Sequence, residues 1–322
     1  MACDALDGDW RKQLRNARKR WGTPEVEALY PYFATPYWES LMCHKAIRLQ
    51  TVPSREELGR HPGTSVDPFG ERGGNAACRG AVRRFPDRML VMVNDLCAMA
   101  CRHCTRKNLL GDAQTVRSAE DLEEVVGYAR SNPRIRDVLL SGGDALLLPD
   151  DRIAKLVDAF AALPQIDVVR ICTRAPSTLP MRITGALVRK IKAVGRSKVW
   201  VNTQFNCSEE LTPQARMACA RLVDAGIPVS CQTVLLRGVN DSVGKMFKLC
   251  VALQQARVRP YYVFVCDPVT GTGHFRVGLD KAREIERKLA ERIGGLAMPR
   301  FVADRPGAKR KVPLAELAAE GV

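Results

Sequence analysis

The densest chemistry in this 322-residue chain lies in CAMACRHCTR, where Cys97, Cys101 and Cys104 stand in a C-x3-C-x2-C spacing. Thiolates are nucleophiles and metal ligands, so three chemistries compete for this string. A structural zinc ion takes four protein ligands, usually as two paired halves, and no second pair follows at that spacing. A nucleophilic cysteine works singly with a base, which leaves two thiols over. A [4Fe–4S] cube takes one ligand per iron, so three thiolates hold it and leave one iron open to a small molecule. The iron–sulfur reading is preferred, with a zinc site using a remote fourth ligand, or thiols clustered by chance, as the alternatives. The other nine of the twelve cysteines are scattered, several of them in apolar segments where a thiol packs as a small hydrophobe.

Those thiols need a scaffold that brings other polar groups to them. From Arg88 onward, apolar runs alternate with amphipathic ones. MLVMVND, RDVLLSGGD, DVVRICTR, KVWVNTQF, IPVSCQTVLL and RPYYVFVCD read as strands. SAEDLEEVVGYARSN reads as a helix opened by Ser118, and ITGALVRKIKAVG as a helix closed by Gly195. TPQARMACARLVDAG carries Pro213 in its first turn, and LDKAREIERKLAERIGG is the last helix. Six strand–helix units spaced by roughly 30 residues predict a parallel sheet of βαβ repeats. The expected fold is α/β, a partial (β/α)6 barrel over 88–322 with an N-terminal helical and loop extension over 1–87. In such folds the chemistry gathers at the carboxyl ends of the strands. Cys97, Ser141-Gly142-Gly143-Asp144, Thr173-Arg174, Gln204 and Asp267 all fall at strand ends and are expected to converge on one mouth.

C-x3-C-x2-C after the first strand of an α/β barrel resembles the radical S-adenosylmethionine superfamily. The strings LCAMACRHCTRK, RDVLLSGGDALLLPDDRI, LVDAGIPVSCQTVLLRGVND, RVRPYYVFVCD and GTGHFR resemble the lysine 2,3-aminomutase family in order and spacing, over residues 28–314. The resemblance implies a [4Fe–4S] cluster on Cys97, Cys101 and Cys104, S-adenosylmethionine, and pyridoxal 5′-phosphate. It implies S-adenosylmethionine contacts from the Ser141, Gly142, Gly143 and Asp144 loop, with Thr173, Arg174 and Gln204 beside it. It implies that Lys311, in a string running from Pro306-Gly307 to Lys311-Val312-Pro313, carries pyridoxal phosphate, with Lys309 as the fallback. Arg84 and Arg88 are the implied phosphate contacts, and Gln232 is a further pocket residue. Arg106 is the implied grip on the substrate carboxylate, a task that suits a guanidinium fork. Asp267 and Asp304 are the implied partners of a side-chain ammonium, and such a pair repels a dicarboxylate. The implied reaction moves a 2-amino group to carbon 3, making this a radical aminomutase. L-Lysine is the favoured substrate; arginine, ornithine or another amino acid are alternatives, as is a β-lysine-forming member that serves elongation-factor modification.

The sequence departs from the family in places. Gln204 replaces a histidine, Cys231 an asparagine, Phe85 a tyrosine, and Phe264 and Val265 a tyrosine and a glutamine; all but Phe85 are read as facing the mouth. His103 reads equally as a support for the cluster or as an ordinary loop histidine. The last nine residues, LAELAAEGV, offer no cysteine, so zinc is not expected. The net charge of +15 is spread along the chain without a nucleic-acid-binding motif, and nucleic acid is not an expected partner. A cluster-bearing regulatory or nucleic-acid-binding protein is the non-enzyme alternative. No apolar run reaches the ~18 residues of a membrane span. The N-terminus lacks a signal peptide, which places the chain in the cytoplasm with reduced thiols. The expected partners are a small amino acid, a one-electron donor such as flavodoxin or ferredoxin, and a second copy of the chain in a homo-oligomer.

Overall fold

The computed structural model describes residues 10, 12, 21–109, 115, 116 and 118–317. Among them, ten strands form one sheet in chain order: β1 (Ala76–Cys78), β2 (Ala81–Phe85), β3 (Arg88–Asn94), β4 (Asp137–Gly142), β5 (Val168–Cys172), β6 (Val199–Thr203), β7 (Val229–Leu235), β8 (Arg259–Val265), β9 (Arg300–Ala303) and β10 (Val312–Pro313). Strands β3 to β9 run parallel. The β1–β2–β3 meander and the β9–β10 hairpin are antiparallel. The sheet is open. Its six central parallel strands are those expected from sequence; β9 adds a seventh, and both edges are extended by antiparallel pairing. The β1–β2 hairpin falls in the stretch read as a helical and loop extension.

Among residues 21–75 three short helices precede the sheet: α1 (Pro24–Leu29), α2 (Pro36–Ser40) and α3 (Lys45–Leu49). After β3 come α4 (Ala119–Arg130), α5 (Asp150–Ala161), α6 (Ala175–Thr178), α7 (Gly185–Val194), α8 (Pro213–Asp224), α9 (Val243–Gln255) and α10 (Leu279–Ala290). Four of these seven start on side-chain caps. Ser118 accepts from Asp121 N in a reciprocal capping box, and Thr184, Thr212 and Ser242 cap α7, α8 and α9. Gly195 does end α7, but not in a left-handed cap: its φ is −74°, and the positive φ values fall on Arg196 and Ser197. Glycine is required there because a Cβ would sit 2.4 Å from Val199 Cγ2.

The parallel strands alternate more than their apolar composition suggested. Val138 and Leu140 of β4, and Val169 and Ile171 of β5, are fully buried against the helices. Leu139, Ser141, Arg170 and Cys172 turn the other way and line a cavity. Successive side chains of a strand point to opposite faces, so one face feeds the core and the other the site. This parity corrects two expectations: Cys231 and Val265 face the core, whereas Gln204 and Phe264 face the cavity. A second core, built on Tyr32, Trp38, Ile47 and Met99, packs the N-terminal helices beneath the cysteine loop. Among the described residues no helix is long and apolar enough to cross a membrane.

Candidate active site

The carboxyl ends of the parallel strands open on a cavity of about 370 Å³. Most residues singled out from sequence lie on its wall: Cys97, Cys101, Cys104, Arg106, Ser141, Gly142, Gly143, Asp144, Thr173, Arg174, Gln204, Gln232, Asp267, Asp304, Lys311, Arg84 and Arg88; Lys309, Cys231 and Val265 do not.

The cysteine loop leaves β3 and is stitched on both sides. Gly143 N and Asp144 N donate to the carbonyls of Asn94 (2.8 Å) and Leu96 (2.7 Å). A Cβ on Gly142 would lie 2.3 Å from Asn94 O, and one on Gly143 2.2 Å from Leu96 O. The two glycines therefore let the end of β4 touch the root of the loop, and two of the amides are engaged there. On the outer side, Ala100 N donates to Phe33 O and Arg102 N to Gln50 O, each at 2.9 Å. Asp144 ties β4 to β5: its carboxylate accepts from Leu146 N (3.0 Å), Thr173 Oγ1 (2.6 Å) and Arg174 N (2.8 Å). Burial raises its pKa against those hydrogen bonds.

The three thiols are crowded. Burial, then Cys104 and Cys101, push the Cys97 thiol well up; burial, then Cys101, push Cys104 up to about 11. Three thiolates this close require positive charge between them. Donors already face the sulfurs: Arg174 Nη1 lies 3.0 Å from Cys101 Sγ, and Arg106 N 3.3 Å from Cys104 Sγ. Among the described residues no three His, Cys, Asp or Glu side chains converge on a single metal ion. An iron–sulfur cube asks for no such point, because each thiolate serves its own iron. The donor set fits the cube.

His103, between two of the cysteines, has Nε2 within 3.0 Å of Gln204 Nε2 and 3.1 Å of Asn206 Nδ2. Burial, then the Arg174 and Lys107 charges, hold it neutral. Both neighbours are amide donors, so Nε2 accepts and the proton sits on Nδ1. That atom, Asn202 Nδ2 and Thr203 Oγ1 are buried without a protein partner among the described residues. Buried polar atoms rarely stay unpaired, and Asn202 and Thr203 line the cavity, so its wall suits a polar ligand beside the cysteines.

Three glutamates that no sequence pattern disclosed surround the loop. Glu71 accepts from Arg106 Nε (2.6 Å) and Nη2 (2.7 Å). Glu210 accepts from Arg174 Nη2 (3.2 Å) and Ser177 Oγ (2.6 Å). Glu57 accepts from Arg102 Nη2 (2.6 Å) and Lys107 Nζ (2.5 Å). Arg106, read as a free carboxylate grip, thus has one edge of its fork on Glu71, while Nη1 approaches Gly142 O at 3.4 Å.

The opposite end of the cavity is built by the β9–β10 hairpin. Pairing of Val312 with Ala303 sets Lys311 across from Asp304. Asp304 forms a fork–fork pair with Arg84 (2.8 and 2.9 Å) and accepts from Lys311 Nζ. Burial lowers the Lys311 pKa against the pull of Asp304, while burial of Asp304 is outweighed by Arg84 and Lys311, which lower it. Lys309 is exposed, as is Arg310, which pairs with Glu316. Arg84 also lies over Phe69, 4.1 Å from the ring centroid, and Arg88 pairs with Asp87 at 2.9 Å. Asp267 differs from Asp304. Its Oδ2 accepts from Thr105 Oγ1 at 2.6 Å, its Oδ1 is buried without a partner among the described residues, and burial, then Asp304, raise it to about 6. A desolvated amine, a two-cation phosphate arm and a cavity between them are what pyridoxal phosphate requires, and these residues fit it.

The Radical SAM superfamily matches residues 91–250. The L-lysine 2,3-aminomutase of Clostridium subterminale is 37% identical over 335 residues, covering 97% of this chain and 79% of its own. That of Fusobacterium nucleatum subsp. nucleatum is 40% identical over 284 residues, covering 87% of this chain and 66% of its own. The chain thus spans between about two thirds and four fifths of these relatives' lengths. Among solved structures, Streptococcus suis SuiB bound to S-adenosylmethionine superposes with a TM-score of 0.52 at 16% identity, over 69% of this chain and 51% of that one.

Proposed function

We propose that this chain, which belongs to the lysine 2,3-aminomutase family of radical S-adenosylmethionine proteins, moves the 2-amino group of a cationic amino acid, L-lysine before others, to carbon 3. The observation that carries this reading is a single cavity wall with three thiols, the Lys311 amine, the Arg106 guanidinium and the carboxylates of Asp267 and Asp304. When bound, the cluster with S-adenosylmethionine supplies a carbon radical that removes hydrogen from an unactivated carbon, and pyridoxal phosphate supplies the carbonyl that retains the migrating nitrogen. The chain's residues bind and orient. Cys97, Cys101 and Cys104 hold three irons, while Arg174 and the Arg106 amide donate to the sulfurs. Lys311, desolvated, offers an amine for the cofactor aldehyde. Arg106 keeps Nη1 for the substrate carboxylate while Glu71 holds its other edge.

Arg84 and Lys311 are also the residues on which phosphate and aldehyde would draw. With those two residues holding the cofactor, Asp304 would be free to stand beside Asp267 as a partner for the ε-ammonium. Two carboxylates at that end disfavour glutamate, whose second carboxylate would be repelled. The reading carries with it a one-electron donor of flavodoxin or ferredoxin type, a cytoplasmic setting and assembly as a homo-oligomer.

The test is an anaerobic assay of the cluster-reconstituted chain. It contains S-adenosylmethionine, pyridoxal phosphate, dithionite and an equimolar mixture of lysine, arginine, ornithine, glutamate and alanine. Mass spectrometry then separates 2-amino from 3-amino isomers. The expected product is β-lysine, lost in Lys311→Ala and retained in Lys309→Ala. A different β-amino acid moves the specificity to Gln204 and Phe264; 5′-deoxyadenosine with no isomer at all overturns the aminomutase reading.

A further inference from the structure

The cations near the cysteine loop are matched one to one by buried glutamates, except at one place. Arg174 faces Glu210 and Arg106 faces Glu71, but Glu57 faces two cations, Arg102 and Lys107. The triad is closed to solvent: the side chains of Glu57, Arg102 and Lys107 are 0%, 2% and 4% exposed. Its remaining donors are directed inward. Arg102 Nη1 reaches the carbonyls of Tyr30 (3.1 Å) and Pro31 (3.3 Å). Lys107 Nζ reaches those of Arg102 (3.1 Å) and Gly271 (2.8 Å), and lies 4.1 Å from the centroid of the Tyr30 ring. Lys107 Nζ thus faces three acceptors, the Glu57 carboxylate and these two carbonyls, which take all three protons of an ammonium. The triad therefore carries one net positive charge where salt screens little. None of the three residues lines the cavity, so none touches a substrate. Arg102 follows Cys101 directly, and Lys107 N donates to the Cys104 carbonyl at 3.2 Å.

We infer that the Glu57–Arg102–Lys107 triad is a built-in charge that sets the reduction potential of the cluster held by the cysteine loop, with Glu57 as the positioning residue that fixes both cations against that loop. This rests on the functional reading above, since it presupposes the cluster. Reduction adds one electron and takes the cluster from the 2+ to the 1+ state. A fixed positive charge nearby favours the reduced form, and local net charge is among the main determinants of such potentials. Lys107→Met leaves the neutral Glu57–Arg102 pair and moves the potential in the negative direction. Lys107→Arg keeps the charge on a group that stays protonated and leaves the potential in place. A triad that only held the loop in place would not separate the two variants by their charge.

The experiment is an anaerobic redox titration of the full, cluster-reconstituted chain at pH 7. Dithionite is the electron source, S-adenosylmethionine is omitted, and the reduced cluster is followed by electron paramagnetic resonance. A negative shift in Lys107→Met with an unmoved potential in Lys107→Arg supports the inference. An unmoved potential in Lys107→Met, or equal shifts in the two variants, overturns it. Should Lys107→Arg retain no cluster, Lys107→Met decides alone: a negative shift supports and an unmoved potential overturns. A wild-type chain that takes up no cluster overturns the functional reading and this inference together; a wild-type cluster that Lys107→Met does not shift overturns this inference alone.

Discussion

The two ends of the cavity are organised in opposite ways. At the cysteine end, cations already face the loop or its sulfurs, and each is paired with a carboxylate from a distant segment: Arg174 with Glu210, Arg106 with Glu71, and Arg102 and Lys107 together with the single Glu57. At the lysine end, Asp304 holds the two groups proposed above to take the cofactor, Arg84 and Lys311, and Asp267 leaves one oxygen without a partner among the described residues. The first end is pre-organised for a fixed occupant, and the second is arranged to exchange partners. Charge pairs that must hold a cluster through many turnovers benefit from locked geometry. Pairs that must pass from cofactor to substrate and back do not.

The largest effect should come from breaking the locked end. A methyl group at Gly143 would meet Leu96 backbone atoms at 2.2 to 2.8 Å, and backbone cannot swing aside as a side chain can. Gly143→Ala should displace the root of the cysteine loop and lose the cluster; iron analysis and the cluster absorbance of the reconstituted variant check this. A full complement of iron would show that the loop is looser than its contacts indicate.

At the exchanging end the effects should be smaller and confined to substrate. Asp267→Asn removes a charged hydrogen bond, worth about 1.5–3 kcal/mol, or about ten- to a hundredfold in KM for lysine. Iron and pyridoxal phosphate content should be unchanged. A mild pH dependence follows from the same residue. The folded pKa of Asp267 is raised to about 6. As an acid with a raised pKa, it contributes stability that is complete below the ordinary carboxylate range and lost as pH rises through about 6. Ammonium binding needs the ionised form and runs the other way. KM for lysine should rise as pH falls through about 6, and a KM–pH profile should flatten in Asp267→Asn.

What could be read from sequence divides along the same line. The cysteine spacing, the Ser141–Asp144 loop and the six central strands are local patterns, and the structure brings the cysteines and the loop together at the carboxyl ends of those strands. The glutamates are not local: Glu57 lies 45 residues from Arg102, Glu71 lies 35 from Arg106, and Glu210 lies 36 from Arg174. A loop acid carries no periodic signal that marks such a partner. The facing of Cys231 and Val265 was misjudged because strand parity is hidden when neighbouring residues are apolar on both faces. Strand β9 is four residues long and β10 two, too short to show a pattern, yet their pairing is what brings Lys311 to the cavity.

The central claim is that both ends serve one intramolecular transfer, and isotope tracing tests it most directly. The reconstituted chain would be incubated anaerobically with S-adenosylmethionine, pyridoxal phosphate, dithionite and L-lysine carrying nitrogen-15 at the 2-amino group, and the product read by mass spectrometry. The account predicts β-lysine that retains the nitrogen-15 on carbon 3. Release of the label as ammonia, or β-lysine without it, would contradict the account.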